Sequence, residues 1–229
     1  MDGKTPSSVI HMIAGNRVII TRCFYQLIWR KTTLRTDLAP SRTAPPRWYS
    51  RSRLLRRNLP INLVDWLLDS GSLTRQLRQL CPDQFQVHVL WQGWNRPGPD
   101  EACALGLRLD AWSWTREVRL LCNDQPWVFA RTLIPAGTLR GRGCRLTQLG
   151  TRSLGEVLFA DPGTRRDSVE IACIVAGQRL HQQAFAGLTE LPDTIWSRRS
   201  LFWIATHPLL ICEIFLPDWL VASARYRPK

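Results

Sequence analysis

Residues 209 to 217 read Leu-Leu-Ile-Cys-Glu-Ile-Phe-Leu-Pro, and a single charged group, Glu213, stands in their middle. Side chains alternate between faces along a strand, so Leu209, Ile211, Glu213 and Phe215 share one face, while Leu210, Cys212, Ile214 and Leu216 form an equally apolar second one. A carboxylate buried there without a partner is costly, and Glu213 therefore needs a cation or a proton. The stretch from Trp112 to Cys122 poses the same problem with the opposite sign. Trp112, Trp114, Arg116, Val118 and Leu120 fall on one face, and Ser113, Thr115, Glu117 and Arg119 on the other, which reads as the wet face. Arg116 is then a guanidinium on a core face beside two tryptophans.

Two accounts fit this pair of charges. Arg116 and Glu213 form a structural ion pair, or both line a closed pocket for a small organic anion. The second account has chemistry behind it: a guanidinium matches a carboxylate with two parallel hydrogen bonds, and a glutamate in low dielectric takes a raised pKa and can donate a proton. Such a pocket suits an aromatic or cyclic acid with a hydroxyl at its far end. A third candidate, Arg131, reads as a sheet-edge salt bridge in preference to a second anion contact. His11, His88, His181 and His207 show no metal-ligand spacing, and no Ser/His/Asp order marks a nucleophile elbow.

These residues need a scaffold, and 229 residues with 45% hydrophobic content are enough for one domain with a real core. The net charge of +13 is unevenly spread: residues 1–60 hold twelve basic against two acidic side chains, leaving only +3 for the other 169 residues. Only Lys4, Lys31 and Lys229 are lysine, a bias that points to coding-sequence composition more than to phosphate binding. No nucleic-acid partner is expected. The apolar run from Val18 to Trp29 is broken by Arg22 and falls far short of the roughly 20 residues a spanning helix requires, so no stable membrane insertion is expected. Seven scattered cysteines, odd in number and without a C-x-x-C, read as reduced thiols of a cytoplasmic protein.

The Pro-, Ser- and Thr-rich segment 39–46 separates a basic leader and linker, residues 1–46, from a folded domain spanning 47–229. Two short helical patterns over 61–80 meet at Asp69-Ser70-Gly71, with Ser72 placed to cap the second. A strand over 85–94 and a Pro/Gly loop precede the long strand 112–122, which turns at 123–126 into a partner over 127–134. A second helical pair covers 138–149 and 153–159, where Ser153 and Glu156 have capping-box spacing. A strand over 168–176 and a hairpin of 201–205 with 209–216 close the pattern, with 178–194 as a surface connection. Strands and helices grouped this way define an α+β domain.

In several pieces, in order, the chain resembles the chorismate pyruvate-lyase family: DWLLDSGSLTRQL (65–77), WTREVRLLCNDQPWVFARTLIP (114–135), LTQLGTRSLGEVLF (146–159), RRDSVEI (165–171), WSRRSLF (196–202) and HPLLICEIFLP (207–217). The resemblance implies a six-stranded antiparallel sheet with helices on one face and two helix-turn-helix flaps over an internal ligand cavity. It also implies a lyase that removes pyruvate from chorismate to give 4-hydroxybenzoate, an early step of ubiquinone biosynthesis, working as a monomer in the cytoplasm without a cofactor or metal. Arg116 and Glu213 fall on the family's ligand-binding arginine and buried glutamate, in catalytic and binding roles, and Leu73 and Leu154 on its ligand-contacting flap residues. The rival implication is a sensor domain of the same fold that binds a small acid without transforming it.

Overall fold

The computed structural model describes residues 44–54, 59, 60 and 62–219. All but the last three residues of the basic leader lie outside this range. Eight antiparallel strands make one sheet: β1 (Tyr49–Ser50), β2 (Phe85–Asn95), β3 (Ser113–Cys122), β4 (Gln125–Pro135), β5 (Thr164–Arg166), β6 (Glu170–Val175), β7 (Thr194–Ile204) and β8 (His207–Phe215). Their order is β1-β6-β7-β8-β4-β3-β2, with β5 paired to β7. The α+β reading therefore stands, but the sheet has eight strands where six were expected. The two extra ones, β1 and β5, are two and three residues long, too short to show any alternation of apolar and polar side chains.

The helices are α1 (Arg51–Leu54), α2 (Val64–Leu68), α3 (Leu73–Leu80), α4 (Pro99–Leu105), α5 (Leu154–Ala160) and α6 (Arg179–Phe185), with a 3-10 helix over Gly141–Thr147. Ser72 caps α3 as its sequence position implied, its side chain accepting from the Arg75 amide at 3.3 Å. Between β3 and β4 the chain reverses through Asn123 and Asp124, both at positive φ (49° and 61°), the backbone a two-residue hairpin turn demands.

Each face of the sheet is covered. On one, Ile134, Phe202, Leu209 and Ile211 pack with Leu146, Leu149, Leu154 and Leu158 from the 3-10 helix and α5 regions. On the other, Leu133, Leu210 and Cys212 pack with Leu105 of α4. Helices on a single face, as expected, are thus not what the chain builds. Three helices lie outside the sequence expectations, the four-residue α1 among them. The Pro-Gly-Pro start of α4 resembled a loop, yet proline at the first helical position costs nothing and Gly106, at φ 64°, supplies the left-handed C-cap. Likewise 178–194 is no surface connection, because α6 buries Leu180, His181, Ala184 and Phe185.

The same cover explains why the face taken as wet is largely shielded. Ser113 and Thr115 are fully buried. Arg119 donates to the carbonyls of Ala184 (3.3 Å) and Ala186 (2.5 Å) at the end of α6. Arg131 is an internal salt bridge and not an edge one, since β4 lies between β3 and β8. Its fully buried guanidinium meets Glu101 of α4 at 2.7 Å and Glu117 at 2.5 Å, and Arg179 adds a contact to Glu101 at 2.5 Å. Burial by itself pushes the Glu101 carboxyl up, but Arg131, Arg179 and the Gly98 amide outweigh it and hold the group below its ordinary value of 4.5. A depressed carboxyl pKa stabilises the fold above the unfolded value and loses that contribution as pH falls through the folded one. Thermal stability is therefore expected to decline below about pH 4.5, and Glu101→Gln is expected to flatten that part of a Tm-against-pH curve.

Cys81 and Cys122 form a disulfide, with Cα atoms 6.0 Å apart. This corrects the reading of reduced thiols for these two residues. Cysteine count and spacing carry no information on pairs made by topology: Phe85 is the register partner of Cys122, and Cys81, just ahead of it at the end of α3, lies within reach. Closing a loop across a separation of 41 residues is worth about 4 kcal/mol on the chain-entropy estimate. Dithiothreitol is expected to lower Tm by about 8–16 °C, and Cys81→Ala to abolish that response.

Candidate functional site

Alternation along four central strands brings one set of side chains to a single floor. Arg116, Val118 and Leu120 of β3, Ala130 and Thr132 of β4, Ile211 and Glu213 of β8, and Arg198, Ser200 and Phe202 of β7 line a cavity of about 50 Å³. Leu73 and Thr74 of α3 and Leu154 and Gly155 of α5 line it from the helical side. All four residues singled out from sequence, Arg116, Glu213, Leu73 and Leu154, thus face one enclosed space.

Arg116 is buried, with 3% exposure. It donates from Nη1 to Gln92 Oε1 of β2 (3.1 Å) and from Nη2 to the carbonyls of Gly150 (2.8 Å) and Arg152 (3.2 Å). Gly150 sits at φ 55°, a left-handed turn that suits glycine and presents its carbonyl to the guanidinium. Burial lowers the pKa of Arg116, and no carboxylate among the described residues pairs with it. Its positive charge is available to a ligand.

Glu213 does have a partner, though a different one from the ion pair weighed above. In the β7–β8 register Arg198 stands directly opposite, and its Nε donates to Glu213 Oε2 at 2.5 Å. The premise for a protonated acid, a carboxylate with no cation beside it, is therefore not met. Arg198 is fully buried and also donates from Nη1 to the carbonyls of Trp66 (2.6 Å) and Asp69 (3.0 Å), at the end of α2. Arg166 of β5 works beside it, donating to Ser200 Oγ (3.0 Å) and to the carbonyls of Ser70 (2.7 Å) and Gly71 (3.0 Å).

The arginines also hold the site's roof. Arg166 and Arg198 fasten the α2–α3 connection to the sheet, and Arg116 fastens the turn before α5. The two helical hairpins then meet each other through Thr74 Oγ1 and Ser153 Oγ at 2.8 Å and through Arg78 and Glu156 at 2.9 Å. Ser153 was expected to cap α5 through its side chain; its hydroxyl instead bridges to Thr74 and makes no capping bond.

Sequence reasoning missed Arg198 and Arg166. A signal existed for the first. The hairpin pairs residues whose numbers sum to a constant, and carrying strand 201–205 backward in that register sets Arg198 against Glu213. Nothing comparable marks Arg166, whose three-residue strand is visible only through its pairing with β7.

A cavity on an antiparallel α+β sheet, with cations and one carboxylate on its floor and leucines in its roof, defines a protein that takes up a small organic acid. Residues 47–225 match the family model described as chorismate lyase. The chain is 43% identical over 155 residues to a protein of Methylococcus capsulatus named probable chorismate pyruvate-lyase, covering 68% of this chain and 94% of that protein. It is 39% identical over 188 residues to a probable chorismate pyruvate-lyase 2 of Pseudomonas fluorescens, covering 82% and 97%. The chain belongs to the chorismate lyase family. Among solved structures, the effector domain of PhnF from Mycobacterium smegmatis superposes with a TM-score of 0.50 at 17% identity, over 66% of this chain and 91% of that one, a likeness of fold alone.

Proposed function

We propose that this chain removes the enolpyruvyl group of chorismate as pyruvate and leaves 4-hydroxybenzoate, the first aromatic ring on the route to ubiquinone. The observation that carries this reading is the joint placement of Arg116, Glu213, Leu73 and Leu154 around one cavity in a chain of the chorismate lyase family. In the reaction the ether carbon–oxygen bond breaks with its electrons leaving on enolpyruvate, and the neighbouring ring carbon gives up a proton. The ring becomes aromatic, and enolpyruvate takes a proton at its methylene carbon to become pyruvate. Every atom of chorismate is accounted for in the two products.

Aromatisation supplies the driving force, so the protein's task is to position the substrate and move one proton. Arg116 holds the ring carboxylate. Glu213, kept in place by Arg198, takes the ring proton and relays it toward the departing group. Leu73 and Leu154 press on the ring from above and exclude water.

A chamber of about 50 Å³ accommodates only a few water molecules at about 10–15 Å³ each, so loading a substrate the size of chorismate requires the roof to part. The two helical hairpins, 62–80 and 138–159, act as flaps, and the seam between Thr74 and Ser153 is where they separate. A Thr74→Cys/Ser153→Cys variant is expected, once oxidised, to turn over chorismate at less than about a tenth of the wild-type rate. Reductant should restore it, with wild type in the same reductant as the control for the native disulfide. The reading as a whole is tested by incubating the purified protein with chorismate and following pyruvate and 4-hydroxybenzoate, which are expected in equal amounts. Tight binding of either compound with no pyruvate released would mark a sensor instead.

No helix among the described residues is long and apolar enough to cross a membrane.

A further inference from the structure

The floor of the cavity holds more positive charge than one carboxylate requires. Arg116, Arg166 and Arg198 all line it, against Glu213 alone. Asp69, the other acid nearby, spends Oδ2 on the Gly71 amide (2.9 Å) and Gln76 Nε2 (3.0 Å). Among the described residues Arg198 is the only one of the three with a carboxylate partner. Its Nη2 is nonetheless buried without any acceptor, although Nε and Nη1 are satisfied. Buried guanidinium donors are ordinarily paired, and one left without an acceptor in a residue that lines the cavity calls for an acceptor that arrives when the roof parts. Arg166 lies against it. Its pKa is pulled down to about 10, first by burial and next by the neighbouring Arg198 charge, which Glu213 and Asp69 only partly offset.

The register fixes where these groups stand relative to Arg116. Arg116, Thr132, Ile211 and Ser200 form one row across the sheet, and Val118, Ala130, Glu213 and Arg198 form the row two residues along. Arg116 and Arg198 are therefore rooted three strands apart, roughly 14 Å at about 4.8 Å per strand, with Glu213 between them. Cations rooted so far apart on one face can bracket a ring and its substituent, each holding a different carboxylate.

We propose that Arg198 and Arg166 form a second carboxylate subsite, so that the cavity selects a dicarboxylate: the ring carboxylate on Arg116, and the carboxylate of the enolpyruvyl arm on Arg198 Nη2 and Arg166. This rests on the lyase reading above and gives it a specificity rule. The arm that will leave is anchored at its own end, beside Glu213, and after cleavage each product keeps one carboxylate and one cation.

The test compares ligands with one and two carboxylates by calorimetry. Wild type is expected to bind 3-(carboxymethoxy)benzoate about 10-fold or more tighter than 3-methoxybenzoate, from the strength of a charge-assisted hydrogen bond. Arg198 also supports Glu213, and both arginines hold the α2–α3 connection, so the informative variant is Arg166→Gln read as a difference between ligand classes. It is expected to weaken the dicarboxylate, and to raise KM for chorismate, by about 10-fold more than it weakens 4-hydroxybenzoate, whose smaller loss reports the freed Ser70–Gly71 turn. Absence of the wild-type preference, or equal weakening of both ligand classes in the variant, would overturn the subsite. The preference is measured without turnover, so it can hold while the lyase reading fails, and pyruvate release without the preference would sink the subsite alone.

Discussion

Glu213→Gln is expected to lower kcat for pyruvate release from chorismate by about 10²- to 10⁴-fold, the span that a positioned acid or base contributes. The substitution keeps the shape and leaves an oxygen to accept from Arg198 Nε, now at 2.5 Å from the carboxylate. It removes the capacity to carry a proton together with the negative charge. It also leaves Arg198 buried with less compensation, a change that by itself destabilises. Activity must therefore be counted per folded molecule, with Tm recorded beside it. If folded Glu213→Gln protein works at near-normal rate, the proton role belongs elsewhere and Glu213 is simply the counter-ion of Arg198.

The second large effect is expected at Arg116. Arg116→Gln should weaken 4-hydroxybenzoate binding by about 10- to 10²-fold, since it removes the cation and a charge-assisted hydrogen bond to the carboxylate. Part of the loss is indirect. Arg116 also holds the Gly150 and Arg152 carbonyls, and its removal frees the turn that sets Leu154 over the ring. Arg116→Lys separates the two contributions, because lysine keeps the charge but cannot reproduce the planar fork. Affinity near wild type in the lysine variant would mean that charge alone suffices. Affinity near that of the glutamine variant would mean that the fork and its tethers decide.

Much of the site could be read before any coordinates because strand alternation is a strict rule. A period of two places Arg116 with Val118 and Leu120, and Ile211 with Glu213, whatever else the chain does. The same rule failed where a face was judged by polarity. Ser113, Thr115 and Glu117 looked wet, yet α4 and α6 cover that side, and the charge of Glu117 is met by Arg131. Polar residues report that hydrogen-bond partners are required and do not report whether water supplies them. The missed helices have local causes. Seven-residue segments such as α4 and α6 show barely two turns of periodicity, and a proline that opens a helix looks like one that ends it.

The identity of Glu213's partner was a failure of another kind. Arg116 was the one unexplained core arginine in a strand long enough to analyse alone, so it drew attention. Arg198 sits in a Ser-Arg-Arg-Ser run whose two arginines go to opposite faces, one to Glu213 and the other to Glu170 at 2.8 Å and the Trp48 ring. Only the β7–β8 pairing shows which is which. The disulfide between Cys81 and Cys122 belongs to the same class, since it exists only once β2 and β3 are in register.

The central claim is that Arg116 and Glu213 face opposite parts of one bound acid inside the chamber. A crystal structure of the protein grown with 4-hydroxybenzoate tests it most directly. The expected result is the ring beneath Leu73 and Leu154, its carboxylate on Arg116 and its hydroxyl toward Glu213. Electron density for the acid at another surface, with the chamber collapsed or its carboxylate away from Arg116, would contradict the account.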